Sequence, residues 1–109
     1  MLRWDSSESK INFLTFKMII SFKHKGLKKF FLEGDISKLN PNHINKLGRI
    51  LFRLNNAKEL RDLNVTGWRL HKLKGNLNGC FAIDVSGNFR VIFGFEKGDS
   101  YDVDYDDYH

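Results

Sequence analysis

Apolar positions recur along this chain with two different periods, and the period changes near Gly67. Ile19, Ile20 and Phe22 form a short apolar run that predicts a first strand, ending at the basic cluster Lys23, His24 and Lys25. Gly26 opens a short helix over Leu27 to Glu33, in which Leu27, Phe30 and Phe31 share one face, and Gly34 stops it. After the turn signal Asn40-Pro41, Ile44, Leu47, Leu51 and Leu54 recur at three- and four-residue steps. This predicts a longer amphipathic helix with Lys46, Arg49 and Arg53 off its apolar stripe. Gly48 weakens that helix slightly, Asn55 to Ala57 end it, and residues 58–67 read as a loop or frayed turn.

Beyond Gly67 the period drops to two. Trp68 to Leu73 reads as a strand and Asn76 to Gly79 as a turn, followed by Phe81, Ile83 and Val85 alternating in the next strand. Ser86-Gly87-Asn88 has hairpin chemistry, and Phe89, Val91, Phe93 and Phe95 alternate after it. Lys97-Gly98-Asp99-Ser100 turns the chain again, and Tyr101, Val103 and Tyr105 close it on a shared face. One strand, two helices and a meander of about four strands make an α+β domain. The helices are expected on one sheet face, leaving the other partly open.

At 109 residues the chain makes one domain with a modest core. Its 41% hydrophobic content and ten phenylalanines exclude a disordered tail. No apolar run reaches the roughly 18 residues of a membrane span. The single cysteine, Cys80, excludes an intramolecular disulfide framework and a cysteine-based zinc site, and the expected location is the cytoplasm. Residues 1–17 carry a polar patch, Asp5 to Ser9, and then Ile11, Phe13, Leu14 and Phe16. They read as an extension ahead of a domain at 18–109, poorly ordered or upstream of a native start at Met18.

Charge adds a direction. The net +5 divides into +10 over residues 1–95 and −5 over residues 96–109. A cationic body concentrates polyanions such as RNA or DNA, while the acidic end repels them unless it folds beside basic neighbours.

Four stretches carry a resemblance: Met18-Ile-Ile-Ser-Phe-Lys-His-Lys-Gly-Leu-Lys-Lys-Phe-Phe, Trp68-Arg-Leu-His-Lys-Leu-Lys-Gly, Val85-Ser-Gly-Asn-Phe-Arg-Val-Ile-Phe, and the ending Gly98-Asp-Ser-Tyr-Asp-Val-Asp-Tyr-Asp-Asp-Tyr-His. In order and spacing they resemble the HigB toxins of the RelE/ParE superfamily over Met18 to His109. The resemblance implies the RelE-like fold, a small curved antiparallel sheet with two N-terminal helices on one face. It also implies a ribosome-dependent endoribonuclease cutting mRNA, restrained by a helix-turn-helix, HigA-like antitoxin. The toxin alone is then a monomer, assembling further with the antitoxin. Two other readings remain: a ParE-like gyrase inhibitor, and an inactive module that only binds RNA or antitoxin.

RNA carries its own nucleophile, the 2′-hydroxyl beside the scissile phosphate. Cleavage then requires a base for that proton, a cation for the phosphorane oxygens, an acid for the leaving 5′-oxygen and groups that hold the geometry. Positions matching the family's motif supply candidates: His71, Arg90, Asp107, Tyr108 and His109. His71 is base or acid, on a strand where residues 69, 71 and 73 share a face; otherwise it is a cross-strand histidine. His109, beside the terminal carboxylate, is the other acid or base. Asp107 orients an imidazole or serves as the base, and Tyr108 stacks on a base, donates to phosphate or packs. Arg90 points away from Phe89 and Val91, where an exposed guanidinium suits phosphate clamping. Lys74 is a second phosphate cation, and Lys46, Arg49 and Arg53 are candidates for rRNA phosphates. His24, His43 and the strand acids Asp102, Asp104, Asp106 and Asp107 raise a metal site, with alternation placing the even-numbered acids on one face. They lack the spacing of a known motif, so no metal and no cofactor is expected.

Overall fold

The computed structural model describes residues 19–108. The proposed extension 1–17 and the candidate His109 lie outside the described residues. Two helices, α1 (Lys25–Glu33) and α2 (Ile44–Asn56), precede four strands: β1 (His71–Lys72), β2 (Cys80–Ser86), β3 (Phe89–Glu96) and β4 (Asp99–Asp107). The strands pair antiparallel in the order β1-β2-β3-β4. This open meander with both helices ahead of it is the expected α+β arrangement.

Each helix has a local cause. His24 caps α1 by accepting the Leu27 N–H on Nδ1 at 3.0 Å, and Gly34, with φ +76°, lets the chain turn back at the other end. Gly26 lies inside α1, not ahead of it, because the chain crosses there against the Lys38 Cβ and the His24 ring and leaves no room for a side chain. In α2 Leu47, Leu51 and Leu54 of the predicted stripe are buried, joined by Ile50, and pack with Leu27 against Ile83, Val85, Val91, Phe93 and Val103 of the sheet, while Ile44 is partly buried against the same core. Both helices therefore cover the face to which the odd-numbered residues of β2 and β3 point. Burying Phe93 and the leucines around it fully supplies most of the hydrophobic stabilisation, about 1.5–3 kcal/mol per side chain.

Four expectations need correction. The first strand exists only as two parallel bridges beside β4, Ile19 to Ser100 and Phe22 to Val103; the ladder stays irregular because the Ser21 hydroxyl takes the Asp102 N–H at 2.8 Å. The strand expected from Trp68 to Leu73 shrinks to His71–Lys72, because Arg69 adopts a left-handed φ of 51° that breaks extended pairing. Consequently residues 69, 71 and 73 do not share a regular strand face. Residues 58–67 contain a 3₁₀ turn, Leu60–Leu63, closed by a reciprocal Glu59–Asp62 capping box, which drives Leu63 into the core. Two backbone N–H groups, of Glu59 and Lys58, hold the Asp62 carboxyl below its ordinary range.

The fourth correction concerns β4. Its partners step from Gly94↔Tyr101 to Ile92↔Asp104, so Asp102 and Val103 together oppose Phe93. This is a β-bulge, with Asp102 at φ 51°. Tyr101 therefore does not share a face with Val103 and Tyr105. Its ring lies over Gly94 on the face away from the helices, where a Cβ on residue 94 would collide with it. Past the bulge, Val103 and Tyr105 turn to the helices, and Asp104 and Asp106 turn to the open face.

Candidate functional site

Residues that pair across antiparallel strands point to the same side of a sheet. The register therefore builds the open face row by row. One row is His71, Ala82, Ile92 and Asp104; the next is Asp84, Arg90 and Asp106. Thus His71 and Arg90, far apart in sequence, stand on one face in neighbouring rows.

Arg90 is held from several sides. Its Nε donates to Asp106 Oδ2 at 3.3 Å, and its side chain is only 14% exposed. The Tyr108 ring sits 4.1 Å from the guanidinium carbon, in cation–π contact. Tyr108 is itself anchored, its N–H donating to Asn88 O at 3.1 Å across the β2–β3 turn. The expectation of an exposed clamp is corrected here, since an ion pair and an aromatic ring shelter the guanidinium before any ligand arrives. The end of the chain is tied down as far as Tyr108.

His71 is fixed through its backbone neighbour. Its Nδ1 lies 2.6 Å from the Arg69 carbonyl oxygen. A carbonyl only accepts, so Nδ1 carries a proton, and in the neutral imidazole Nε2 is the nitrogen with the lone pair. The left-handed turn at Arg69 that shortens β1 is also what aims this carbonyl at the ring. Arg69 then reaches Asp84 Oδ2 at 3.0 Å. A second guanidinium thereby joins the row of Arg90.

The other candidates fall elsewhere. Asp107 pairs in register with Phe89, so it points to the helix side and not toward Arg90. Its charge helps raise the Tyr105 hydroxyl above its ordinary range, after burial as the main cause. Asp102 sits in the bulge and accepts from the Ser21 hydroxyl at 3.4 Å, so the even-numbered acids do not form one alternating row. His43 is buried, its Nδ1 2.6 Å from the Tyr105 hydroxyl, and His24 serves as the α1 cap. Among the described residues no group of three His, Cys, Asp or Glu stands close enough to hold a metal ion. Lys74 is exposed just beyond β1, at the start of a 3₁₀ turn, Gly75–Leu77. Lys46, Arg49 and Arg53 lie outside the buried stripe of α2, in the helical layer across the sheet from Arg90. Arg53 bonds the Asp62 carbonyl there at 3.0 Å.

Sequence reasoning missed Arg69 and Asp84 and weighed Asp106 only as a metal ligand, not as the partner of Arg90. The two-residue turn Gly87-Asn88 does not find Asp84 by itself: counting outward from it sets Val85 opposite Arg90, and the bulge between Asp84 and Ser86 shifts the pairing to Asp84. What the described face offers is a fixed guanidinium and, in the neighbouring row, an imidazole oriented through Nδ1. That pairing suits a phosphodiester whose neighbouring hydroxyl must lose a proton.

The family model described as "RelE-like toxin of type II toxin-antitoxin system HigB" matches residues 20–109. The chain is 40% identical over 92 residues to the endoribonuclease HigB of Proteus vulgaris, spanning 84% of this chain and 100% of that protein. It is 36% identical over 83 residues to toxin HigB-1 of Vibrio cholerae serotype O1, spanning 74% of this chain and 87% of that one. No helix among the described residues is long and apolar enough to cross a membrane.

Proposed function

Since the chain belongs to the HigB-like family of RelE-like toxins, it is the endoribonuclease toxin of a type II toxin–antitoxin system, with an antitoxin as partner, and we propose that it cuts mRNA on the translating ribosome by metal-independent attack of the 2′-hydroxyl. The observation that carries this reading is the open face on which His71 and Arg90 stand in neighbouring rows, with the Tyr108 ring over Arg90. In the proposed reaction His71 Nε2 takes the 2′-hydroxyl proton. The 2′-oxygen then bonds to phosphorus, and the bond from phosphorus to the 5′-oxygen breaks.

Arg90 stabilises the charge that gathers on the non-bridging oxygens. Asp106 engages its Nε and so sets the plane of the fork, while the two terminal nitrogens face the phosphate. Lys74 supplies a second cation. His109 donates the proton to the leaving 5′-oxygen, with Asp107 orienting it from the strand end. Tyr108 stacks against a base while keeping the guanidinium in place. Lys46, Arg49 and Arg53, across the sheet from this face, grip rRNA phosphates and not the cleaved strand. The antitoxin is of the helix-turn-helix, HigA-like kind, and the protein acts in the cytoplasm.

The chemistry predicts its own products. Attack by the 2′-oxygen leaves a 2′,3′-cyclic phosphate upstream and a free 5′-hydroxyl downstream. Downstream fragments are therefore expected to accept label from polynucleotide kinase with no prior phosphatase step. Fragments that accept label only after phosphatase treatment would show water as the nucleophile and remove the task assigned to His71.

A further inference from the structure

Asp84 follows Phe81, Ala82 and Ile83 in β2 and points to the open face. In register it stands opposite Arg90, yet Arg90 turns the other way, to Asp106. Asp84 Oδ2 accepts from Arg69 Nε at 3.0 Å, with 25% of its side chain exposed against 71% for the arginine. As a contribution to stability, so exposed a pair counts for little. Its place in the backbone gives it another use.

Continuing the β1–β2 register outward from Lys72↔Phe81 and His71↔Ala82 sets Arg69 opposite Asp84. The Leu73 N–H donates to Cys80 O at 2.9 Å. In a regular antiparallel ladder, the residues that exchange hydrogen bonds across the strands are then Leu73, His71 and Arg69. The Asp84 N–H would meet the Arg69 carbonyl, but it donates to Trp68 O at 2.8 Å. The pairing slips by one residue, as in a bulge, with Arg69 at φ 51° as the extra residue. The slip releases the Arg69 carbonyl from the ladder, and that carbonyl oxygen lies 2.6 Å from His71 Nδ1. Asp84 grips the slipped residue twice: its N–H fixes the carbonyl ahead of Arg69, and its carboxylate fixes the Arg69 side chain.

We infer that Asp84 is a positioning residue: through Arg69 it holds the carbonyl that selects the tautomer of His71, a role that rests on His71 serving as the base. A neutral imidazole with its proton on Nδ1 presents the Nε2 lone pair to the 2′-hydroxyl. The other neutral tautomer presents an N–H there and cannot accept a proton. A left-handed φ is unfavourable for a residue with a side chain, so Arg69 keeps it only while its surroundings hold it. The ion pair to Asp84 is the hold on its side chain, and the Trp68 bond is the hold on the backbone beside it. Without the carboxylate, Arg69 relaxes toward the extended region, its carbonyl swings back toward the ladder, and the ring is free to take the Nε2–H form.

Long-range proton–nitrogen NMR spectra of the full chain without RNA, at a pH where histidines are neutral, read this ring directly. His71 is assigned by the signals that vanish in His71→Ala. Wild type is expected to show the Nδ1–H tautomer as the major form. Asp84→Ala and Arg69→Gln, the second altering only an exposed side chain, are both expected to make Nε2–H the major form. In ribosome-dependent cleavage Asp84→Ala is expected to lower kcat about tenfold and leave KM within about twofold, because Asp84 acts through another residue and not on the RNA. Combining the two substitutions is expected to shift the tautomer no further than either alone. An Nδ1–H tautomer retained in both folded variants overturns the inference. So does an Asp84→Ala variant whose kcat is unchanged, or whose loss falls on KM alone, while His71→Ala is inactive. Wild-type cleavage by His71→Ala would instead defeat the base assignment, and the RNA-free spectra would still decide what Asp84 holds.

Discussion

His71→Ala is expected to lower mRNA cleavage by about 10²–10⁴-fold, the range for losing a positioned general base. The argument rests on one hydrogen bond. The Arg69 carbonyl accepts from Nδ1, so in the neutral imidazole the lone pair sits on Nε2, pointing away from the backbone that fixes the ring. Of the acids on this face, Asp84 and Asp106 are committed to arginines, and Asp104 accepts from the Tyr105 N–H. The cost in stability is expected to stay within about 0.5 kcal/mol, because the ring is a partly exposed group on a two-residue edge strand. Cleavage rates beside thermal melts separate the two effects. A variant that melts normally and still cuts at the wild-type rate would remove His71 from the chemistry.

Arg90→Ala is expected to cost about 10²–10³-fold in cleavage, as when a preorganised group opposite developing negative charge is deleted. Stability is affected as well, by about 1–2 kcal/mol, because Asp106 loses its partner and Tyr108 loses the cation beneath its ring. Arg90→Lys distinguishes charge from geometry. Lysine restores a cation without the planar fork, so it is expected to recover much of the melting temperature and little of the rate. Full recovery of the rate by lysine would show that a point charge suffices and that Asp106 does not set a useful plane.

The helices and hairpins were legible because their signals are local. The three- and four-residue steps of Leu47, Leu51 and Leu54 fix α2, and Gly87-Asn88 fixes the β2–β3 turn. What escaped depends on single backbone angles. Arg69 in the left-handed region cuts β1 short, yet an arginine carries no turn signal of its own. The bulge at Asp102 reverses the parity of β4, while Tyr101, Val103 and Tyr105 still look like an unbroken alternation because tyrosine is at home on either face. That reversal hid which acid meets Arg90; the register selects Asp106.

The site was readable in its types and not in its pairings. His71, Arg90 and the terminal Asp-Tyr-His were singled out through the family motif, and the structure brings His71, Arg90 and Tyr108 to one face. Arg69, Asp84 and Asp106 complete that face through contacts that exist only once three strands are in register. The basic residues of α2, candidates for rRNA phosphates, lie across the sheet from Arg90, which charge along a sequence does not reveal.

The central claim is ribosome-dependent cleavage by residues of the Arg90 face together with the terminal histidine. Primer extension on an mRNA in a reconstituted translation reaction tests it most directly, comparing the full chain with His109→Ala and with a form starting at Met18. Discrete cuts inside the translated region are expected from the full chain and the Met18 form, absent without ribosomes and lost in the folded alanine variant. Intact mRNA in the presence of ribosomes and folded wild-type protein, or cuts that persist unchanged in His109→Ala, would contradict it.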